Sequence, residues 1–384
     1  MNRMVMKIIA GLLSLSLSTA VWLRYPVKAR ISPPAISAKA CVLMDAKTGQ
    51  VLYAKQDQEK LPMASTTKIM TTLLTLESGG LEDPFVVDPQ AIQVEGSSMG
   101  LQVGDVVTKY ALCVGMLLPS GNDAANAAAV AVAGNVPKFL EKMNQRAAVI
   151  GMTRTCFASP SGLDAQGHGS SAYDMALLTR EALQNPLFRE ICKSASRQVC
   201  FGNPPYLRTL TNTNKLLKMD ETIIGVKTGF TDAAGRCLVS ACERDGGTLI
   251  CVTLDDKNDW ADHLALYDYG FSDAKAYTIP LPTQLSLPIE GGTVASVSVY
   301  AREPLILTAW HGIPADVQTT CLLPPFLTAP LEKGEPVGVL LYTTEQGLEI
   351  ARLPLYTAEP IASMEPAKET RFWVRILDWI YGAA

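Results

Sequence analysis

At 384 residues, with 48% hydrophobic and 18% charged side chains, the chain has the composition of a globular protein with room for two domains. Its net charge of −4 leaves no electrostatic basis for nucleic acid as a partner. Nine cysteines leave at least one thiol without an intrachain partner, and with no CxxC pair and scattered histidines (His168, His263, His311) a zinc site is not expected.

Arg3 and Lys7 precede an apolar run from Ile8 to Leu23, and small-residue sites follow at Ser18-Thr19-Ala20 and Val27-Lys28-Ala29. This order predicts a signal peptide over residues 1–29. A retained N-terminal membrane anchor is the alternative. Either reading places the body of the protein outside the cytoplasm, at the outer face of the cytoplasmic membrane or in the cell wall space. Residues 36–285 then read as one α+β domain. "CVLMDAKTGQVLY" (Cys41–Tyr53) is a hairpin, and "IMTTLLTLES" after Lys68 is a helix closed by Gly79-Gly80. A helical middle follows, clearest in "NDAANAAAVAVAG" and "VPKFLEKMNQRAAVIG". From Ile223 three short runs, "TIIGVKTGF", "GRCLVSACER" and "GTLICVTL", return to strands before the helix "DWADHLALYDYGF". Strands at both ends with helices between imply an antiparallel sheet flanked by helices. Cys113 in "YALCVGMLL" and Cys251 in "TLICVTL" read as small buried hydrophobes, while Cys192 and Cys200 are placed where pairing is open.

Short strands punctuated by Pro and Gly define a small all-β domain over residues 286–362. In residues 363–384, Phe372, Trp373, Ile376, Leu377, Trp379 and Ile380 recur at helical spacing among Lys368, Arg371, Arg375 and Asp378. The segment is too charged to span a bilayer and suits an amphipathic helix lying on a membrane surface; docking on the protein's own core is the alternative.

The chemistry is concentrated in three places. "PMASTTKIM" sets Ser65 one turn before Lys68, on one face of the helix it opens. The simpler reading is a helix cap and a surface charge, yet a cation at a helix N-terminus is opposed by the macrodipole. As a base, Lys68 must fall from a solvated pKa of ~10.4 to roughly 7–8, which burial and a second cation can supply. "GVKTGFT" offers that cation in Lys227 on an exposed edge strand; with Thr228 it suits a carboxylate, and Gly229 permits close backbone approach. "LLPSGNDAANAAA" carries Ser120 and Asn122 on a tight turn between helices, where either is equally suited to capping. Single motifs are weak evidence: Ser272-Asp273-Ala274-Lys275 repeats the first spacing and Lys47-Thr48-Gly49 repeats the last tripeptide.

Together S-x-x-K, S-x-N and K-T-G, in that order, form the signature of penicillin-interacting serine acyl-transfer enzymes. From about Ala40 onward the chain resembles the D-alanyl-D-alanine carboxypeptidases, low-molecular-mass penicillin-binding proteins of the type-5 kind. The likeness includes "MDAKTGQVLYAK", "EGSSMGL", "SPSGLDAQGH", "AYDMALL", "NTNKLL" and "GVKTGFTDAAG". The resemblance implies that Ser65 attacks the last peptide bond of a peptidoglycan stem peptide ending in D-Ala-D-Ala, and is likewise acylated by β-lactam antibiotics. Lys68 would take the proton, and Ser120 would help return one to the leaving D-alanine. Lys227 and Thr228, beside Gly229, would hold the terminal carboxylate and Asn122 the peptide backbone. The N–H groups of Ser65 and Phe230 would form the oxyanion hole, and no metal or organic cofactor is implied. The chain departs from some relatives at Thr213, where they carry arginine, and at Phe230, where they carry histidine. Two alternatives share much of this pattern. A class A-like β-lactamase needs a deacylating glutamate, for which only Glu181 and Glu190 stand between Gly151 and Asp220, neither of them in "SPSGLDAQGH". A catalytically idle cell-wall-binding protein of the same fold has no use for a nucleophile and two lysines.

Overall fold

The structure is a computed structural model that describes residues 32–364 apart from 245, 273, 283–284, 312–314 and 346. The expected signal peptide, and the expected C-terminal amphipathic helix beyond Ser363 and Met364, lie outside the described residues. The chain divides into two compact units, one formed by Tyr25–Lys275 with Thr308–Pro314, the other by most of the remainder.

In the first unit, β1 (Ala40–Asp45) and β2 (Val51–Lys55) form the expected hairpin. The chain continues through α1 (Lys68–Glu77) and the short strands β3 (Phe85–Val86) and β4 (Val106–Val107). Then come α2 (Lys109–Leu117), α3 (Asn122–Ala133), α4 (Val136–Ile150), α5 (Ala172–Ala182) and α6 (Pro186–Lys193). Strands β5 (Ser196–Gly202) and β6 (Pro205–Thr211) and the short helix α7 (Leu216–Met219) lead into β7 (Ile223–Thr231), β8 (Gly235–Arg244) and β9 (Gly247–Leu254). Helix α8 (Asp259–Phe271) completes the series.

The main sheet is antiparallel, in the order β2-β1-β9-β8-β7. Every residue of β1 is buried, as expected of a central strand covered on both faces. Side chains alternate along it: Ala40, Val42 and Met44 join the core that contains α1 to α5, and Cys41 and Leu43 join the one that contains Leu266 and Tyr267 of α8. Strand β7 is left at the edge beside the turn that precedes α1, so the sheet ends where the S-x-x-K serine begins.

One element escapes the periodicity. The helical middle also holds an antiparallel sheet in the order β3-β4-β5-β6. Two of its strands are two residues long, and β6 buries only Leu210, so the pattern that marks a half-buried strand is scarcely present there. All nine cysteines are free thiols, Cys192 buried against the Ile224 carbonyl and Cys200 exposed on β5, so they do not pair.

The second unit is all β, although Lys275 of its first strand and Thr308 and Ala309 of its fourth fall in the first unit. It begins with β10 (Lys275–Ile279) and continues through β11 (Leu285–Glu290), β12 (Ser296–Ala301), β13 (Leu305–Ala309), β14 (Gln318–Leu322), β15 (Leu327–Thr328), β16 (Pro336–Thr343) and β17 (Glu349–Thr357). Six strands form a sheet in the order β14-β16-β17-β12-β11-β15, antiparallel except for the β11–β15 pair. Strict alternation in β12 buries Val297, Val299 and Ala301 and turns the serines and Tyr300 outward. Among the described residues no helix is long and apolar enough to cross a membrane.

Candidate active site

Ser65 lies in a single turn of 3-10 helix, Ala64–Thr67, directly before α1, and no side chain caps either helix. The capping role is thus not taken up by Ser65. Its half-buried hydroxyl instead faces Lys68, the first residue of α1, which is fully buried. Lys68 Nζ lies 2.9 Å from Ser65 Oγ, 2.7 Å from Asn122 Oδ1 and 2.7 Å from the Ser161 carbonyl oxygen. The last two can only accept. A neutral amine therefore directs both its hydrogens to them and leaves its lone pair for the serine hydroxyl. The amine is prepared for that state: burial holds its pKa well below the usual lysine range, the Lys227 charge lowers it further, and Asp123 opposes them.

Lys227 is also buried, against the expectation of an exposed cation, although β7 is indeed an edge strand. Burial brings its pKa down to about 7, and its ammonium donates to the Thr228 carbonyl at 2.7 Å. The Thr228 hydroxyl is 2.7 Å from that of Thr213. Gly229 is what lets β7 reach the catalytic turn. A Cβ there would stand 3.1 Å from Ser65 N and 3.2 Å from the Met63 carbonyl. Phe230 follows with its ring largely exposed.

The middle motif is less uniform. Asn122 opens α3 and is buried; its Oδ1 takes the Lys68 hydrogen bond, while its Nδ2 donates to the Glu95 carbonyl at 2.7 Å. Ser120 is buried with a φ of 67°, a left-handed conformation uncommon outside glycine. Among the described residues no hydrogen bond joins it to Ser65, Lys68 or Lys227. The decoys stand apart. Lys47 and Thr48 occupy the β1–β2 turn, where the Thr48 hydroxyl bonds Asp45, and Ser272 caps the end of α8 ahead of exposed Lys275.

Four contributors were not singled out from the sequence. Asp123 accepts from the backbone N–H groups of Met99, Gly100 and Leu101 and from the Ser98 hydroxyl, fixing "SSMGL" beside Asn122. The Ser161 carbonyl belongs to "SPSGLDAQGH", a run that carries the family likeness but gives no sign that its main chain meets Lys68. Gly162 in that loop has a φ of 88°, and a Cβ would fall 1.9 Å from the Ala64 carbonyl oxygen. His168 closes the loop against Thr67 at 3.0 Å. A carboxylate directly after S-x-N, and a glycine inside the loop, were the available signals. Glu181 and Glu190 pair with Arg146 and Arg197 respectively, and bond none of the motif residues.

A serine facing a buried, neutral-leaning lysine, with a second buried lysine at the adjoining strand edge, defines a serine acyl-transfer site. Comparison with known proteins narrows the class. Residues 27–258 match the D-alanyl-D-alanine carboxypeptidase family profile, and residues 283–363 match the C-terminal domain of penicillin-binding protein 5. The chain belongs to the D-alanyl-D-alanine carboxypeptidase family. It is 30% identical over 390 residues to the D-alanyl-D-alanine carboxypeptidase DacF of Bacillus subtilis, covering 97% of this chain and 96% of that one. It is 32% identical to DacC of Escherichia coli, covering 91% and 89%. The crystal structure of penicillin-binding protein 5 from Haemophilus influenzae superposes with a TM-score of 0.63 at 28% identity, over 87% of this chain and 100% of that one.

Proposed function

We propose that this protein is a serine D-Ala-D-Ala carboxypeptidase that removes the terminal D-alanine of peptidoglycan stem pentapeptides through an acyl-enzyme on Ser65. The single observation that carries the reading is the Lys68 amine, set 2.9 Å from the serine oxygen with its hydrogens committed to Asn122 Oδ1 and the Ser161 carbonyl.

As the Ser65 oxygen bonds to the scissile carbonyl carbon, its proton passes to Lys68. The carbonyl oxygen gathers charge between the backbone N–H groups of Ser65 and Phe230. The C–N bond then breaks, and the departing D-alanine amine takes the proton held by Lys68, a delivery that Ser120 assists. Water attacks the ester with Lys68 again as base, restoring the serine. Lys227 and Thr228 hold the substrate's terminal carboxylate beside Gly229. Asn122 has one amide hydrogen beyond its bond to Glu95, and that hydrogen meets a carbonyl of the peptide. A β-lactam enters the same acylation step. The enzyme works outside the cytoplasm after export by residues 1–29, with residues 365–384 resting on the membrane surface as an amphipathic helix.

Incubation with fluorescent penicillin, followed by peptide mapping, is expected to place one label on Ser65, and a D-Ala-D-Ala pentapeptide is expected to release free D-alanine. Lys68→Arg should lower labelling by at least about a hundredfold, because a guanidinium stays protonated and cannot serve as the base. An unlabelled Ser65 in a folded protein would sink the proposal. Rapid hydrolysis of the penicillin with no D-alanine released would favour the β-lactamase.

A further inference from the structure

The turn carrying Ser65 is held in an unusual conformation. Ala64, immediately before the serine, has a φ of 47°, which costs a non-glycine residue energy unless its surroundings enforce it. Its carbonyl oxygen accepts from the Thr67 hydroxyl at 2.8 Å and lies under Gly162, at a site no side chain can share. Thr67 is fully buried and in turn meets His168 Nε2 at 3.0 Å.

The direction of this chain of hydrogen bonds follows from its far end. The Ala158 N–H points at His168 Nδ1, 3.0 Å away, and a backbone N–H can only donate. Nδ1 is therefore an acceptor, and the neutral ring carries its hydrogen on Nε2. That hydrogen goes to Thr67 Oγ1, which leaves the threonine's own hydrogen for the Ala64 carbonyl. Burial keeps the ring neutral by pulling its pKa down to about 4, aided by the charge of Lys60 and opposed by that of Asp164.

We infer that His168 and Thr67 are positioning residues for acylation. Acting in series, they hold the Ala64 carbonyl and so fix the peptide plane that presents the Ser65 N–H and hydroxyl to the substrate. Neither touches the reacting atoms. The same loop delivers the Ser161 carbonyl to Lys68, so its placement governs both the serine and its base. The inference rests on Ser65 being the nucleophile.

Acylation by a fluorescent penicillin tests it in the full chain, with rate constant and half-saturating concentration measured separately. Thr67→Val, which keeps the shape and loses the hydroxyl, and His168→Ala should each slow acylation about tenfold at an unchanged half-saturating concentration. Thr67→Ser and His168→Gln, which keep a donor in place, should recover most of the rate. The double variant should be no slower than the slower single one by more than about twofold, since both break one chain. If Thr67→Val does not fold, the pair His168→Ala and His168→Gln decides the matter. Wild-type acylation rates in the variants, losses that multiply in the double variant, or no recovery in the conservative ones would overturn the inference. No label on wild-type Ser65 would instead overturn the carboxypeptidase reading on which it stands.

Discussion

At the scale of single residues, the site is governed by two lysines taken out of water. In the proposed mechanism Lys68 must be neutral to accept a proton, whereas Lys227 must be charged to hold a carboxylate, and burial pulls both toward neutrality. The rate constant kcat/KM should therefore rise with pH as Lys68 loses its proton and fall as Lys227 loses its own near pH 7. With an ester substrate that lacks the terminal carboxylate the descending limb should vanish, while a limb common to both substrates would point to another group. Lys227→Ala should reduce D-alanine release by at least about a hundredfold, the scale of a lost charge-assisted contact in a buried site. Lys275→Ala and Lys47→Ala should leave it within about twofold, as expected of positions outside the site. Equal losses would show that the wrong copies of the two motifs had been chosen.

At the scale of elements, the site is a junction of backbones. The edge strand β7 meets the catalytic turn through Gly229, and the loop from Ser159 to His168 meets the same turn through Gly162. The loop is also bound to β7, by the Thr231 hydroxyl donating to Asp164 Oδ1 at 3.0 Å, and to α1, by the Thr71 hydroxyl donating to the Pro160 carbonyl at 2.6 Å. Gly162→Ala asks a Cβ to occupy the place of a carbonyl oxygen, so either the loop or the turn must move. Penicillin acylation should fall by about a hundredfold or more, since displacing reacting groups by an ångström has that effect. A Gly162→Ala enzyme that acylates normally would mean that the loop adjusts without disturbing Lys68.

At the scale of the whole molecule, the chain crosses from one unit to the other more than once. Trp310, which follows the second unit's first strands in sequence, belongs to the first unit and is fully buried there against Phe271 and over Gly247. Trp310→Ala should destabilise the first unit by about 3–5 kcal/mol, the usual loss for a large buried aromatic, with kcat little changed in protein that remains folded. Urea titration read by penicillin-labelling competence measures this, and an unshifted midpoint would show that Trp310 contributes no net stability. Removal of residues 365–384 should release the protein from the membrane fraction with D-alanine release retained. Unaltered fractionation would assign attachment to another segment.

Much of this was legible in the sequence, because periodicity and residue chemistry are local. Alternating or continuous apolar runs marked β1, β7, β8, β9 and, in the second unit, β12, β13, β16 and β17, and the ordered motifs pointed to the serine, both lysines and Asn122. The sheet β3-β4-β5-β6 was not legible, since its strands are too short or too exposed to leave a period. Nor was Trp310, because sequence order places it within the all-β region and only packing returns it to the first unit. The acceptors that orient Lys68 were hidden for a related reason: one is a main-chain carbonyl, which every residue possesses and no pattern distinguishes. The sequence by itself determined which candidate reactive groups are present and in what order they occur along the chain. Tertiary structure alone decided that Lys68 and Lys227 are buried, that Asp123 and the Ser161 loop surround them, and that Ser65 opens its helix without capping it. A proton affinity is set by solvent exclusion and by neighbours brought together through folding, and neither is a property of a residue or of its spacing.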